Sequence, residues 1–416
     1  MSDSKPMDAL VLKDGRERSL LRGHPWVMSG SVDEKASKGN PAAGDLVQVF
    51  SADGKPLGAG HYSPSSQIRL RLLSYAGEEP REGRLEELMA LALARRNSPL
   101  LKSQTALRLI NAEGDGLPGL VVDRFGDVVV VKLASIGMSQ RRERIAQWLE
   151  KNTGASCGYE RADSMAARRE GMKARDGVLW GELPAMPISI EENGRRYQVD
   201  VVNGQKTGFF LDQRDARSLV QALAHGQRVL DLYAYTGGFG VAALCGGAAE
   251  MTLVESSKGA VAAAESNVEL NRQAGQDAPV QVVNEDVGRF LRASKDSFDL
   301  IIVDPPPFAK RKGDVTKASR AYKDVILRAL KHAAPGAQVL VFSCSHHVSG
   351  DLFRKIVFGA AIDAHCRLQV LRELGPPVDH PVSLQHPEGQ YLTGLLLMVE
   401  ERPGKGQGEG KGEGKV

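Results

Sequence analysis

Long apolar runs are missing from this 416-residue sequence. No stretch reaches the ~18 apolar residues that a helix needs to cross a bilayer, so nothing is expected to span a membrane. The stretch from Met1 to Leu10 carries Asp3 and Asp8 and has no apolar core, so no secretory signal is expected there. Cysteine is scarce. Cys157, Cys245, Cys344 and Cys366 lie far apart and form no C-x-x-C pair. A zinc site and a disulfide framework are therefore not expected, no other metal is called for, and a reducing cytoplasm fits. A strong excess of one charge is also lacking. The 54 Lys and Arg against 51 Asp and Glu leave +3, which allows nucleic-acid binding without requiring it. No internal repeat is visible.

What remains is an ordinary globular composition, 42% hydrophobic and 25% charged, long enough for about two to four domains. From Pro403 to Val416 glycine alternates with Lys, Glu and Gln, and residues 403–416 are expected to be disordered. Residues 8 to about 75 read as short strands with turns. Val47–Phe50 leads through Ala52-Asp53-Gly54-Lys55 to Leu57–Tyr62 and then Ile68–Leu73, the pattern of a small β-barrel. Leu85, Leu88, Leu91 and Leu93 mark a helix over 83–97. From about 105 to 190 the reading is α+β. Gly114-Asp115-Gly116-Leu117-Pro118-Gly119 turns the chain between Leu107–Asn111 and Leu120–Asp123, Val128–Leu133 is a buried strand, and Ser139–Lys151 is helical.

Beyond about 220, strands and helices alternate. The expected strands are Val229–Tyr233, Met251–Glu255, Val280–Val283, Leu300–Asp304 and Gln338–Ser343. The expected helices include Lys258–Asn271 and Tyr322–Ala333. This alternation predicts a parallel sheet with helices on both faces. In the first strand-to-helix turn, Asp231 and Tyr233 lead through Thr236 to Gly237, Gly238, Phe239 and Gly240. Glycine lets backbone approach a ligand, and the helix N-terminus favours negative groups. Glu255 ends the next strand, where a carboxylate can accept from both hydroxyls of a ribose. Asp286 follows the third, within reach of an adenine amino group. Three acidic strand ends in chain order outline one edge of a nucleoside pocket. A phosphate loop fails at Gly204-Gln205-Lys206-Thr207, because Gln205 stands where glycine must precede lysine. A dinucleotide fingerprint fits only with Ala243 in the last glycine slot.

Asp304-Pro305-Pro306-Pro307-Phe308 follows an apolar strand. Consecutive prolines stop the strand and stiffen an extended loop that can present Asp304 to the edge of a base, with Phe308 placed to stack. Cys344 ends the following strand. In a doubly wound sheet these two strands are neighbours, so Asp304 and Cys344 are expected side by side. The pairing suits cytosine. Carbon 5 is a poor nucleophile until a thiolate adds at carbon 6, and a carboxyl group can stabilise the charge that develops at nitrogen 3. The base that removes the carbon-5 proton is not identified by the sequence. Lys310, Arg311 and Lys312 follow the Asp-Pro loop and could hold phosphates beside a flipped base. Arg16, Arg18, Arg22 and His24 form a second basic cluster.

At these residues the chain resembles the bacterial 23S rRNA cytosine-5 methyltransferases that carry an N-terminal PUA domain. The likeness runs nearly to Glu400. It rests on Gly23-His24-Pro25-Trp26-Val27, on Glu113–Leu120 with Val122-Asp123-Arg124, on Gly204–Arg214, on Asp379-His380-Pro381, and on Glu388–Leu392. The resemblance implies an α/β fold of the class I methyltransferase type, a doubly wound sheet preceded by a small PUA β-barrel and a central α+β domain. The implied division is 1–75 for the RNA-binding PUA-like domain, 76–195 for the central domain, 196–402 for the methyltransferase domain with its leading hairpin, and 403–416 for the tail. It implies S-adenosylmethionine as cofactor, 23S rRNA or a large-subunit precursor as partner, and it permits a homodimer. Lys206, Thr207, Phe209, Asp212, Gln213 and Arg214 would form a hairpin over the cofactor. Asp231, Tyr233, Thr236 and Gly237–Gly240 would flank its methionine and ribose, Glu255 would hold the ribose, and Asp286 the adenine. Asp304, also beside the cofactor, would hold the cytosine with Pro305, Pro306 and Phe308, and Cys344 would be the nucleophile. Most cytosine-5 RNA methyltransferases carry a second cysteine in the Asp-Pro motif for product release. Here that slot is proline, so release must proceed without it. Asn203 stands where a glycine is expected. Two other readings keep the sequence consistent: methylation of a guanine or an exocyclic amino group without a nucleophile, and a non-catalytic RNA-binding assembly protein.

Overall fold

The computed structural model describes residues 7–273, 277–309 and 311–400. The glycine-rich tail at 403–416 lies outside them. The chain packs as two units, residues up to Arg214 together with Pro376–Gln390, and Asp215–Gly375 together with the chain from Tyr391 on.

In the first unit, strands Ala9–Leu12, Trp26–Met28, Val32–Lys38, Leu46–Phe50, Pro56–Tyr62 and Ile68–Tyr75 form one six-stranded sheet. Alternation sets its inner face: Val47 and Val49 are fully buried, while Leu46, Gln48 and Phe50 are only partly covered. A five-stranded sheet follows, Ala106–Asn111, Leu120–Phe125, Val128–Leu133, Cys157–Glu160 and Gly177–Trp180, each pairing with the next. Helix Arg84–Arg96 buries Leu85, Leu88, Met89 and Ala92. Leu91 falls off that face and is exposed, contrary to the pattern first read there. The single helix expected through Ser139–Lys151 is two, Ile136–Gln140 and Arg142–Thr153. The break falls at Arg141, whose guanidinium reaches Glu82 at 2.6 Å and the Gly44 carbonyl at 2.8 Å.

His61 illustrates how tightly these two sheets' surroundings meet. It is 3% exposed, and a Cβ added to Gly137 would lie 2.3 Å from its ring. Burial, and then the charges of Arg141, Arg71 and Arg144, push its pKa well below the usual histidine value. A histidine depressed in the folded state contributes stability above its unfolded pKa, near 6.5, and that contribution is lost as pH falls below it. The urea midpoint is therefore expected to drop between pH 7 and 5, by up to about 1.4 kcal/mol of stability per pH unit from this one proton. His61→Asn should flatten that slope; an unchanged slope would contradict this origin.

The second unit carries β1 (Arg228–Leu232), β2 (Glu250–Glu255), β3 (Val280–Asn284), β4 (Phe298–Val303), β5 (Ala333–Ser343), β6 (Leu368–Leu374) and β7 (Thr393–Val399) in the order β3-β2-β1-β4-β5-β7-β6. The first five run parallel, as the alternation predicts. The two last do not. β7 is antiparallel to both β5 and β6, so the expected parallel sheet is a mixed one. Helices α1 (Gly238–Cys245), α2 (Lys258–Asn271), α3 (Val287–Ala293), α4 (Val315–Lys331) and α5 (Gly350–Asp363) complete the unit. Leu230, Ile301, Val339 and Leu397 fill the sheet, with Tyr322, Ile326, Phe353 and Val357 from α4 and α5 against it. Strand order turns back between β1 and β4, and the loops at their carboxyl ends open the crevice where such folds take ligands.

Candidate active site

One residue before its end, β1 carries an acid that the fold satisfies only in part. Asp231 is fully buried, and its Oδ2 accepts from the Gly240 N–H at 3.0 Å. Its Oδ1 is buried with no protein partner. Burial pushes the pKa up to about 8. The Gly240 N–H opposes this, and the carboxylates of Asp304 and Glu255 add to it. The turn that follows is strained. Tyr233 and Tyr235 sit at φ 64° and 49°, and Gly237 at 78°. Two non-glycine residues in the left-handed region cost about 1–3 kcal/mol each and persist only where surroundings hold them. Gly240 must lack a side chain, because a Cβ there would come within 2.4 Å of Leu253 on β2. Asn267 of α2, fully buried, donates to the Thr236 carbonyl at 2.9 Å and pins the turn from behind. The Thr236 hydroxyl is a second buried atom with no partner, and Phe239 stacks on Phe342 of β5 at 5.8 Å.

The next two acids are anchored differently. Glu255 Oε2 accepts from the Tyr235 N–H at 3.0 Å, and Oε1 from the Ser257 N–H at 2.7 Å, so its carboxylate is oriented by loops on both sides. Asp286 is exposed and caps α3, with Oδ1 accepting from the Arg289 N–H at 3.0 Å. Asn284 steadies the crossing by donating to the carbonyls of Glu255 and Ser256.

β4 and β5 run in parallel register, Val303 opposite Val341. Asp304 and the Pro305 turn therefore lie beside the end of β5. The Cys344 thiol donates to the Pro305 carbonyl at 3.6 Å, and the buried Ser345 hydroxyl donates to the Ala309 carbonyl at 2.9 Å. Two links thus latch the cysteine turn to the Asp-Pro loop, and only one of them involves a residue singled out from the sequence. Cys344 is half-buried, whereas Cys157 and Cys366 are buried. Pro305 is buried and Pro306 exposed. The Phe308 ring packs against Tyr322 in a tilted arrangement, centroids 4.7 Å apart, and burial pushes the Tyr322 phenol up to about 12 against the pull of Ser343. His346 lies 5.5 Å from Tyr391. Arg311 is exposed, with its N–H on Asp314. Lys310 and the side chain of Lys312 lie outside the described residues.

The hairpin expected over Lys206–Arg214 is not one: the antiparallel pair lies just before it, Ile188–Glu192 with Arg195–Val199, while the chain at 206–210 turns and then enters the short helical turn Leu211–Gln213 and the helix that starts at Arg214. Residues 206–214 belong to the first unit, and the side chains described next are engaged there. Lys206 pairs with Asp212 at 2.5 Å and lies 4.3 Å over the Phe210 ring. Thr207 donates to Asp123 at 2.7 Å, and Phe209 packs on Tyr197 at 4.9 Å. Gln213 is buried behind them. Arg214 clasps Asp379 with two bonds of 2.9 Å.

The crevice of the second unit suits a cationic nucleoside ligand. Glu255 and Asp304, both half-buried, lie close enough to the buried Asp231 to raise its pKa, and a ligand bearing positive charge and hydroxyl groups suits this group of acids. S-adenosylmethionine has both. Among the described residues no group of acids, histidines and cysteines is placed to hold a metal, and no helix is long and apolar enough to cross a membrane.

Comparison with known proteins agrees with this reading. The S-adenosylmethionine-dependent methyltransferase family model matches residues 123–381, and a PUA-like domain model matches 10–75. The protein named ribosomal RNA large subunit methyltransferase I from Aeromonas salmonicida is 42% identical over 395 residues, 93% of this chain and 98% of that protein. Its namesake from Shewanella denitrificans is 41% identical over 94% of this chain and 99% of its own length. A solved structure described as a methyltransferase complexed with SAH shares 26% identity and a TM-score of 0.79, covering 94% of this chain and all of that one. A SAM-dependent methyltransferase from Streptococcus mutans gives 25% and 0.78 over the same share. Fold, unsatisfied acid and relatives converge, and the chain belongs to the S-adenosylmethionine-dependent methyltransferase family, with a PUA-like domain at its N-terminus and S-adenosylmethionine as its cofactor.

Proposed function

We propose that this protein methylates carbon 5 of a cytosine in large-subunit ribosomal RNA, in the cytoplasm, through a transient bond to Cys344. The observation that carries the reading is the thiol of Cys344 set against the Pro305 carbonyl, beside Asp304, at the carboxyl edge of β4 and β5. The relatives' names supply the RNA class. When bound, S-adenosylmethionine supplies a methyl group made electrophilic by its positively charged sulfur. The acids at the carboxyl ends of β1, β2 and β3 bind and orient it: Asp231 and the Gly237–Gly240 turn at the methionine and ribose, Glu255 at the ribose, Asp286 at the adenine.

The protein's own work is on the base. The Cys344 thiolate adds to carbon 6, and the electron pair of the 5,6 double bond shifts so that carbon 5 becomes an enamine carbon. Asp304 at the base edge stabilises the charge that builds at nitrogen 3. Carbon 5 then takes the methyl group. A base removes the carbon-5 proton, the double bond re-forms, and the thiolate leaves. Phe308, Pro305 and Pro306 frame the base, while Arg311 with its lysine neighbours meets the backbone phosphates. Labelled methyl donor and unmodified 23S rRNA test the reading: wild type is expected to produce labelled 5-methylcytidine and no other labelled nucleoside. A labelled guanosine, or an N-methylated base, would overturn it.

Ser345 offers a second check. Its hydroxyl holds the nucleophile's turn against the loop carrying Asp304, so Ser345→Ala should leave the Ala309 carbonyl unpaired and loosen both. A misplacement of roughly 1 Å can cost about 100-fold in rate. We expect kcat to fall by about 10- to 100-fold, with cofactor affinity unchanged by calorimetry and partial recovery in Ser345→Thr. An unaltered kcat would show that the latch is not needed.

A further inference from the structure

The central sheet's flank carries a group of cations that the methyl-transfer reading leaves unused. Helix Ser164–Glu170 and the turn after it present Arg168, Arg169, Lys173 and Arg175 within eight residues, all exposed. None of the four is paired with an acid among the described residues. The nearby acids have other work. The Asp163 carboxylate caps the helix by accepting from the Ala166 N–H at 2.8 Å. Asp176 accepts from the Ala162 N–H at 3.0 Å and faces Arg161. Glu170 is 3% exposed and turned inward, where it meets Arg71 of the N-terminal sheet at 2.8 Å and accepts from the Ile136 N–H at 3.1 Å. Glu160, also buried, is held by Arg142.

The segment is therefore anchored. A buried ion pair and a helix cap fix its inner side, and Gly171, at φ 67° and with Ser65 lying 2.7 Å from where its Cβ would be, seats the turn on the N-terminal sheet's loop. A flexible basic run spends backbone as well as side-chain entropy when it binds, whereas a segment already held in place by packing spends mainly that of its side chains. In a chain whose net charge is only +3, four unneutralised charges in so short a span make a strong local positive field.

We propose that Arg168, Arg169, Lys173 and Arg175 form a docking ridge for the sugar-phosphate backbone of the substrate RNA, apart from the modified base. This rests on the ribosomal RNA reading above. The ridge positions the RNA by charge and carries no base specificity.

The test uses the full-length protein. Affinity for unmodified 23S rRNA is measured from 50 to 300 mM salt for wild type and for R168Q/R169Q/K173Q/R175Q. Each lost phosphate contact lowers the slope of log K against log salt by about 0.7–0.9, so a slope shallower by about three and a Kd at least roughly tenfold weaker are expected. KM for RNA should rise in step, while kcat at saturating RNA and S-adenosylmethionine affinity stay unchanged. Thermal unfolding confirms that the variant is folded. K102Q/K151Q, which removes two exposed lysines of the same unit, should keep the wild-type slope. Equal slopes for wild type and the quadruple variant, as a ridge for an acidic protein would give, or an equal loss in the control, overturn the ridge while leaving the RNA reading intact. A wild type that neither binds nor methylates 23S rRNA overturns the RNA reading itself.

Discussion

Cys344→Ala is expected to abolish transfer to cytosine, a loss of about 10⁴-fold or more, because the nucleophile has no substitute and residues that act as a unit do not back each other up. Cys344→Ser should be nearly as inactive, since an alkoxide at this position would need a far stronger base to form. S-adenosylmethionine binding should survive in both, because Cys344 lies at the end of β5 while the acids assigned to the cofactor stand at the carboxyl ends of β1, β2 and β3. RNA carrying 5-fluorocytosine sharpens the experiment. Carbon 5 then holds fluorine, which no base can remove as a proton, so the thiolate cannot leave and wild type should be trapped in a covalent complex resistant to denaturant. Cys344→Ala should form none. Full activity without Cys344 would shift the reaction to direct attack by a nitrogen that already has a lone pair, in a guanine or an exocyclic amino group. Such a reaction needs Asp304 and the Pro-Pro turn but no thiol.

The parallel half of the sheet was legible because its strands are short runs dominated by apolar residues with an acid or another polar residue at or next to their carboxyl ends, and the crevice follows from the alternation with helices. The placement of Cys344 beside the Asp-Pro loop follows from that order alone, and the thiol indeed meets the Pro305 carbonyl. The antiparallel β6 and β7 were not read. Leu395, Leu396 and Leu397 belong to an apolar run that fits a buried strand and a buried helix segment alike, and β6 is largely exposed, so periodicity alone assigns neither. Asn267 and Ser345 were invisible for another reason. A polar residue that bonds one distant carbonyl leaves no spacing to detect. The strained Tyr233 and Tyr235 were likewise hidden, since only glycine advertises a left-handed turn. Thr207 and Arg214 carry the broadest lesson. Their side chains bond Asp123 and Asp379, 84 and 165 residues away in the chain. Pairings over such distances are fixed by the tertiary fold, which no local pattern records.

Those two bonds lead to the largest expected effect on stability. Arg214 and Asp379 are almost wholly buried, and Asp379 also meets the Arg108 N–H at 2.9 Å and the His380 ring at 3.1 Å. Burial alone would raise the Asp379 pKa. The His380 hydrogen bond and the Arg214 guanidinium outweigh it and hold the carboxyl well below its usual range. Arg214→Met removes the bidentate partner and leaves a buried carboxylate short of donors, at a cost of about 3–5 kcal/mol. A large fall in the urea midpoint is therefore expected at pH 7. The pH dependence separates this from a simple packing defect. A carboxyl depressed in the folded state contributes stability that is present above its unfolded pKa, near 3.9, and that is lost as pH falls through the folded value. The gap between wild type and Arg214→Met should thus narrow as pH drops below about 4. A packing defect would keep the gap constant. Arg214→Met combined with Asp379→Leu should be more stable than Arg214→Met alone, because no buried charge is then left without its partner. If the double variant is the worse of the two, the ion pair itself, and not the stranded carboxylate, is what the fold depends on.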